Sequence, residues 1–241
     1  MNNIIVIAKG VLRELVRRKD IYLIFTLLVI MMVYAANLSF GGERNFDRYF
    51  KEIGISLAYI FSIIIAVTFA SRQIPQEVEA KTIYPILAHP VSRQQFIIGK
   101  FAGVLFISAT SYSLFYITFI VSLFLKGAVL TPPVLLAEGY ILHILLLSFF
   151  TALAILLSLF LSTTANTWIS IIIYFSTNWF GVNVPAYIYL PHPELFDIRE
   201  RIIHSLDVVP LWVISFLAMY AVLYTALFLL LANLVFRRRN L

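Results

Sequence analysis

The sequence predicts an all-α membrane protein that crosses the bilayer six times as a single permease domain over residues 1–241. Of its 241 residues, 61% are hydrophobic and only 12% are charged, and the mean hydropathy is +0.94. Soluble domains carry roughly 25% charged residues. The few charges lie between long apolar runs. Because about 20 helical residues cross the hydrocarbon layer, those runs predict transmembrane helices.

Residues 1–19, before the first run, predict an amphipathic helix. One helical face collects the apolar side chains Ile4, Ala8, Val11, Leu12, Leu15 and Val16, and the other collects Lys9, Arg13, Glu14 and Arg17. A basic polar face opposite an apolar one is typical of a helix lying on an anionic membrane surface. The alternative is that these residues only extend the first span.

The predicted spans follow at residues 21–40, 54–71, 101–125, 138–162, 168–185 and 210–236. The fifth is the least regular, because it contains Asn178, Gly181, Asn183 and Pro185, so a broken helix is the alternative there. The connections at 41–53 and 126–137 are short. The largest outer segment, residues 186–209, is too short to fold as an independent domain.

The basic residues indicate an orientation. The N-terminus, the 72–100 loop and the C-terminus carry twelve Lys and Arg against four Asp and Glu, whereas the opposite side carries six against eight. Under the positive-inside rule, both termini and the 72–100 loop face the cytoplasm. This distribution accounts for the net charge of +6 without a nucleic-acid partner. We therefore predict a multi-pass protein of the plasma or inner membrane, with membrane lipid around it.

The 72–100 loop is the longest charged stretch between two spans. Pro75 suits the first position of a helix, which would place Glu77 and Glu79 near that helix's positive end. Pro90 would end it. Ser92 and Gln95 have capping-box spacing and predict a new helix from Arg93 into the third span. We expect a short helix lying across the cytoplasmic surface. The alternative is a solvated loop that only sets topology.

One pattern in this loop resembles the ABC-2 type permeases, the membrane subunits of ABC exporters. It runs through Glu79, Lys81-Thr82-Ile83, Ile86-Leu87, Pro90-Val91-Ser92-Arg93 and Gly99-Lys100. Lys81 stands where the family usually has glycine, and Pro85 interrupts the middle of the pattern. The subgroup that includes the permease of the nitrous-oxide-reductase maturation exporter is the most similar by these features.

The resemblance implies that the loop is a coupling helix, which docks into a separate ATPase subunit. On that basis the ATPase contacts would be Glu77, Glu79, Lys81, Thr82, Ile83, Tyr84, Leu87 and Arg93. The 162–167 turn would make a second, smaller contact. The resemblance also implies a second permease copy or homologue. ATP and Mg²⁺ would bind to the partner ATPase, and this chain would bind no cofactor and would not itself be an enzyme.

The motifs that the chain lacks agree with an external energy source. There is no phosphate-binding loop, since Gly99-Lys100 is followed by Phe101 rather than by Ser or Thr. There is no cysteine, so thiolate chemistry is excluded. The predicted spans contain no Lys, Arg or Asp, and their only Glu is Glu138 at an outer boundary. Carriers driven by protons or sodium usually need such buried groups.

Polar residues in the spans predict a substrate route. The candidates are Tyr112, Tyr116, His143, Tyr174, Asn178 and Asn183. The alternatives are helix–helix hydrogen bonds and, for His143, a neutral packed side chain. Short outer loops and an apolar interior favour a hydrophobic or amphiphilic substrate. We predict no metal site, because His192 and His204 lack a compact ligand spacing.

Two other functions stay open from the residues alone. A multispan enzyme acting on lipids would need a nucleophile–base pair, for which the spans offer His143 near serines such as Ser148. A non-transporting membrane scaffold would need no ATP turnover.

Overall fold

The computed structural model describes residues 3–37, 43–81, 91–125, 131–180 and 191–238. Every regular element in these ranges is a helix, which confirms the all-α prediction for them. In chain order the elements are α1 (Asn3–Val16), α2 (Lys19–Asn37), α3 (Glu43–Glu79), α4 (Arg93–Leu125), α5 (Pro133–Leu157), α6 (Thr163–Phe180), a 3-10 helix (Pro193–Phe196), α7 (Arg199–His204) and α8 (Leu211–Arg238).

Four helices among the described residues are long and apolar enough to cross a membrane. They are Arg48–Glu79 within α3, then Arg93–Leu125, Pro133–Leu157 and Leu211–Arg238. The first and fifth predicted spans correspond to α2, whose apolar stretch Tyr22–Met31 is shorter, and to α6, which has 18 residues. The chain is therefore a multi-pass membrane protein, and its crossing by α2 and α6 stays a prediction.

The second predicted span is much longer than expected. With 37 residues, α3 measures about 55 Å, against a hydrocarbon thickness of about 30 Å. Pro75 lies inside α3, so the prediction that it starts a new helix was wrong. Glu77 and Glu79 consequently lie at a helix C-terminus, where the macrodipole disfavours carboxylates. Residues 72–79 belong to α3 and residues 93–100 to α4, so the two ends of the predicted 72–100 loop are helical. Of the 80–92 segment between them, residues 82–90 lie outside the described residues.

The helices at the fourth and fifth predicted spans begin earlier than expected, at Pro133 and Thr163. Helix α5 begins at Pro133 rather than near 138, because proline is well suited to the first helical position. The turn after it lies at 158–162, so most of the predicted 162–167 turn is the first part of α6. Asn166 Nδ2 donates to Ala154 O at 2.8 Å, which gives this carbonyl near the end of α5 a second donor beside Ser158 N.

The core is arranged around α3, which packs against α2, α4, α5, α6 and α7, while α8 packs on α5 and α4. Helix α1 packs along α4. A Cβ at Gly99 or Gly103 would lie 2.8 Å from Ile7 Cβ or 2.7 Å from Val11 Cβ, so only glycine allows this close approach. Val11 and Leu15 are buried, but Val16, expected on the same face, is exposed.

Side-chain contacts define two ends of the helix bundle. Helix α1, the end of α3, the start of α4 and the end of α8 lie together, and we call this the basic end. Segment 191–210 contacts α3 at Ser56 and the start of α5 at Glu138, and we call that the acidic end. These are the two sides that the count of charged residues separates.

Candidate functional site

The basic end is held by a buried lysine. Lys100, in the second turn of α4, is only 4% exposed and makes a close ion pair with Glu77. Its Nζ also donates to Gln73 Oε1 at 3.1 Å and lies 5.6 Å from the centre of the Phe96 ring. Glu77 and Gln73 are one turn apart on α3, so Lys100 ties that helix to α4 at the point where both enter the 80–92 segment.

Contacts from two cations, Lys100 and Arg18, hold α3 in helical form past Pro75. A proline inside a helix removes one backbone hydrogen bond. Here the turns around Pro75 are held on two sides, by Lys100 on Gln73 and Glu77, and by Arg18 Nη2, which donates to Gln76 Oε1 at 2.8 Å. Lys100 also compensates the carboxylate of Glu77 at the negative end of α3.

Arg93 joins α4 to the end of α8. Its Nη1 donates to Phe236 O at 2.7 Å and to Arg237 O at 2.9 Å. The last carbonyls of a helix have no intrahelical donor, and a cation there is favoured by the macrodipole. Arg93 therefore caps α8 from another helix, a contact within the chain that the sequence did not predict.

The start of α4 has the predicted capping box. Gln95 N donates to Ser92 Oγ at 3.2 Å, and Ser92 N donates to Gln95 Oε1 at 3.0 Å. The prediction that a helix begins at Arg93 and runs into the third span is confirmed.

The predicted ATPase contacts separate into two groups. Glu77 and Arg93 are engaged inside the chain, whereas Glu79 and Lys81 are exposed at the edge of the loop. Lys81 has a φ of 56°, in the left-handed region that favours glycine, directly after the last residues of α3. This is the position where the family pattern has glycine. Thr82, Ile83, Tyr84 and Leu87 lie outside the described residues.

Three of the predicted route residues meet in one aromatic cluster. The ring of Tyr112 lies 5.4 Å from that of Tyr116 and 4.4 Å from that of His143. Tyr59 and Tyr140, which sequence reasoning missed, complete it, at 3.8 Å from His143 and 5.4 Å from Tyr112. Tyr59 Oη donates to Gly139 O at 3.2 Å, and Tyr116 Oη donates to Leu136 O at 2.8 Å. All of these rings except the half-buried Tyr140 are buried, and the cluster joins α3, α4 and α5.

His143 pairs with Ser62 rather than with Ser148. Its Nε2 lies 2.7 Å from Ser62 Oγ, which also lies 2.8 Å from Tyr59 O. When the single proton of Ser62 is donated to Tyr59 O, Ser62 accepts from a protonated Nε2 of His143. In that tautomer Ser62 is not arranged as a nucleophile activated by a base. Ser148 donates to Leu145 O at 2.7 Å.

The other predicted route residues are less closely associated. Tyr174 lies on α6 with its ring 5.6 Å from that of Phe150. Asn178 belongs to α6, but its side chain, like all of Asn183, lies outside what the structure describes.

The acidic end is covered by segment 191–210. Arg199 Nε donates to both carboxylate oxygens of Asp197 at 2.8 Å, and its Nη1 donates to Ser56 Oγ at 3.3 Å. Burial lowers the pKa of Arg199, but the hydrogen bond and charge of Asp197 raise it more, so its pKa lies above the ordinary value. Buried Glu138 accepts from Val209 N at 3.0 Å. These contacts fix the segment onto α3 and α5.

The histidines of this segment have carboxylate partners. His192 Nδ1 lies 3.0 Å from Glu194 Oε1, and His204 Nε2 lies 3.4 Å from Glu200 Oε2. Within the described ranges, no three His, Asp or Glu side chains are grouped so as to hold a metal ion.

The sequence contains a signal for some of the site residues that the prediction missed. Tyr59 and Ser62 are polar interruptions, one helical turn apart, in a long apolar run. Lys100 is a cation directly before the third predicted span and needs a nearby acid. The pairing of Arg199 with α3 has no comparable signal, because more than 140 residues separate the partners.

Comparison with known proteins assigns the chain to a family. None of the curated proteins matches it. The family model described as ABC-2 family transporter protein matches residues 15–181, which is more than half of the sequence and includes α2 to α6 with the 80–92 segment. The chain therefore belongs to the ABC-2 family of transporter proteins, as a membrane component of an ABC transporter.

Proposed function

We propose that this chain is the permease subunit of an ATP-driven exporter, in which a separate ATPase subunit moves the 80–92 segment. The proposal is supported by the helix ends on either side of that segment. Buried Lys100 joins the end of α3 to the start of α4, and Glu79 and Lys81 are exposed just beyond it. A force on the loop would therefore reach two transmembrane helices together. ATP and Mg²⁺ would bind to the ATPase.

The proposed complex contains a second permease, identical or homologous, and lies in the plasma or inner membrane. Both termini and the basic end would face the cytoplasm, since that end carries most of the Lys and Arg. Helices α2 and α6 would complete six spans. The assignment to the subgroup of the nitrous-oxide-reductase maturation permease stays a prediction.

The substrate route would pass the aromatic cluster. Tyr112, Tyr116 and His143 are buried and lie below a segment fixed by Arg199 and Glu138, so this conformation would be closed at the acidic end. Opening would separate rings on α3, α4 and α5. Aromatic and hydroxyl groups on an otherwise apolar path suit a hydrophobic or amphiphilic substrate. Nucleotide would favour opening only through its different affinity for the two states.

Co-purification tests the proposal. The tagged chain is extracted gently from its native membrane, the proteins that elute with it are identified, and ATP hydrolysis is assayed. We expect an ATPase to co-elute with the parent and with Glu200→Arg, an exposed charge reversal at the acidic end. It should be lost with Glu79→Arg. Elution of the intact protein without an ATPase under several mild extractions would contradict the proposal.

The same experiment separates the alternatives. A scaffold would co-elute with proteins other than an ATPase and show no ATP turnover. A lipid-modifying enzyme would convert lipid after purification without ATP. In that case Ser62→Ala should abolish the conversion, since Ser62 is the hydroxyl that contacts His143.

A further inference from the structure

Helix α8 packs closely against α5. The Phe149 ring of α5 lies 5.3 Å from the Phe228 ring of α8, and Ser148 Oγ lies 3.4 Å from Thr225 Oγ1. Among the described elements, α8 packs chiefly on α5 and less on α4. Since closely packed interfaces keep discrete arrangements rather than deforming continuously, α5 and α8 are suited to move together.

Segment 191–210 is attached to the same two helices. It continues directly into α8, which begins at Leu211. His192 N donates to Tyr220 Oη of α8 at 2.8 Å, and Val209 N donates to Glu138 Oε2 of α5 at 3.0 Å. These attachments join the segment to α5 and α8 through the chain itself and through two short hydrogen bonds.

The attachment of the segment to α3 is longer and depends on two cations. Arg199 Nη1 donates to Ser56 Oγ at 3.3 Å, and Lys51 Nζ donates to Ser205 Oγ at 3.4 Å. The Arg199 guanidinium carbon also lies 5.7 Å from the centre of the Tyr59 ring.

A polar cavity of about 370 Å³ lies along this same contact. Its lining includes Glu52 of α3 and Glu194 and Glu200 of the segment. Carboxylates of like charge on both sides weaken an interface relative to one closed by apolar packing. Of the joints that segment 191–210 makes, the one with α3 is therefore the easiest to separate.

At the basic end, Arg93 joins the loop side of α4 to α8. It is the first residue of α4 and donates to Phe236 O and Arg237 O, and the Phe96 ring stacks on that of Phe236 at 5.7 Å. Lys100 holds α4 to α3 about 10 Å further along α4, where it can serve as a pivot. A displacement of the start of α4 would therefore be passed to the end of α8.

We propose that α5, α8 and segment 191–210 move as one body, that the 80–92 segment drives this body through Arg93, and that the outer end opens between segment 191–210 and α3. The inference rests on the proposed function. Arg93 is then a positioning residue that acts on the end of α8. Because the body keeps its internal contacts, neither end unfolds when the other moves.

Spin-label distances in the complex with the co-purified ATPase test this, since the chain has no cysteine of its own. Exposed Glu52→Cys and Glu200→Cys place labels on the two sides of the proposed opening. Exposed Val134→Cys on α5 with Glu200→Cys is the matched pair within the moving body.

A non-hydrolysable ATP analogue with Mg²⁺ should lengthen the first distance by about 5 Å, as a tilt of about 10° over the hydrocarbon thickness of about 30 Å gives. The second distance should stay unchanged. Arg93→Met should abolish the response to nucleotide, and Arg93→Lys, which keeps a donor and a charge for the end of α8, should retain it.

Three results would overturn the inference while the ATPase is bound. They are no change in either distance, an equal change in both, and a full response in Arg93→Met. Each leaves the proposed function standing, whereas a complex without an ATPase contradicts that function and the inference with it. Should Arg93→Met lose the ATPase or fail to fold, Phe236→Ala weakens the same link from α8, outside the 80–92 segment, and serves instead.

Discussion

The two ends of the bundle use their charges in opposite ways. At the basic end, buried Lys100 and half-buried Arg93 join α3, α4 and α8, and Glu79 and Lys81 nearby are exposed. At the acidic end, Arg199, Asp197 and Glu138 are used to fix segment 191–210 onto the helices. At the basic end, exposed charges lie next to helix ends that are joined by ion pairs and hydrogen bonds. At the acidic end, charged groups attach segment 191–210 to the helices.

The difference supports the proposed place of the ATPase contact. Glu79 and Lys81 are exposed and could meet a partner, whereas Arg199 and Asp197 are paired with each other. Each of the following substitutions acts on one end and leaves the other as its reference.

The largest effect is expected for Lys100→Met. Removing the cation breaks the buried ion pair with the Glu77 carboxylate near the negative end of α3, which we expect to cost about 3 kcal/mol. Thermal stability in detergent, measured by the fraction that stays monodisperse after heating, should fall clearly. The double variant Lys100→Met with Glu77→Gln should recover most of the loss. If it is no more stable than the single variant, the ion pair is not the cause.

A smaller, local effect is expected for Arg199→Gln. Losing charge-assisted hydrogen bonds to Asp197 should lower the opening free energy of segment 191–210 by about 2 kcal/mol. Hydrogen exchange there should accelerate about thirtyfold, while exchange at the start of α4 stays unchanged. Acceleration at both ends would show that the ends are one cooperative unit, and would remove the contrast between them.

The sequence predicted the positions of the helices better than the contacts between them. Apolar runs located α4 and α8, and Ser92 with Gln95 located the start of α4, because these signals are local. Pro75 misled, because its local preference for a helix start is overridden by contacts of Gln73, Glu77 and Gln76 with residues distant in sequence. His143 was singled out, but its partner Ser62 lies 81 residues away and no periodicity identifies it.

A loss of stability of intermediate size is expected when the contact of α1 with α4 at the basic end is disturbed. Gly103→Ala places a methyl group where Val11 lies, and we expect a loss of about 1.5 kcal/mol from overpacking. Adding Val11→Ala should restore part of the stability by making room. Limited proteolysis near residue 18 reports whether α1 is released. Unchanged proteolysis in Gly103→Ala would mean that the helices are less closely packed than 2.7 Å implies.

The smallest effect has the opposite sign. Lys81 has a left-handed backbone, so Lys81→Gly should stabilise the end of α3 by about 0.5–1 kcal/mol, whereas Lys81→Ala should not. If the Lys81 side chain also contacts the ATPase, both variants should weaken co-purification. A glycine variant that is more stable and binds less would therefore separate the conformational role of this position from its proposed contact.

The length of α3 has a geometric consequence. A helix of about 55 Å that is held at Ser56 near its middle and at Glu77 near one end converts rotation into displacement: a tilt of about 10° about its midpoint would move each end by about 5 Å. Tyr59 and Ser62 lie within one turn of that midpoint, so the same tilt would displace them by less than about 1 Å. Separating the rings of the aromatic cluster would therefore need a translation of α3, or a rotation about its own axis, rather than tilt alone.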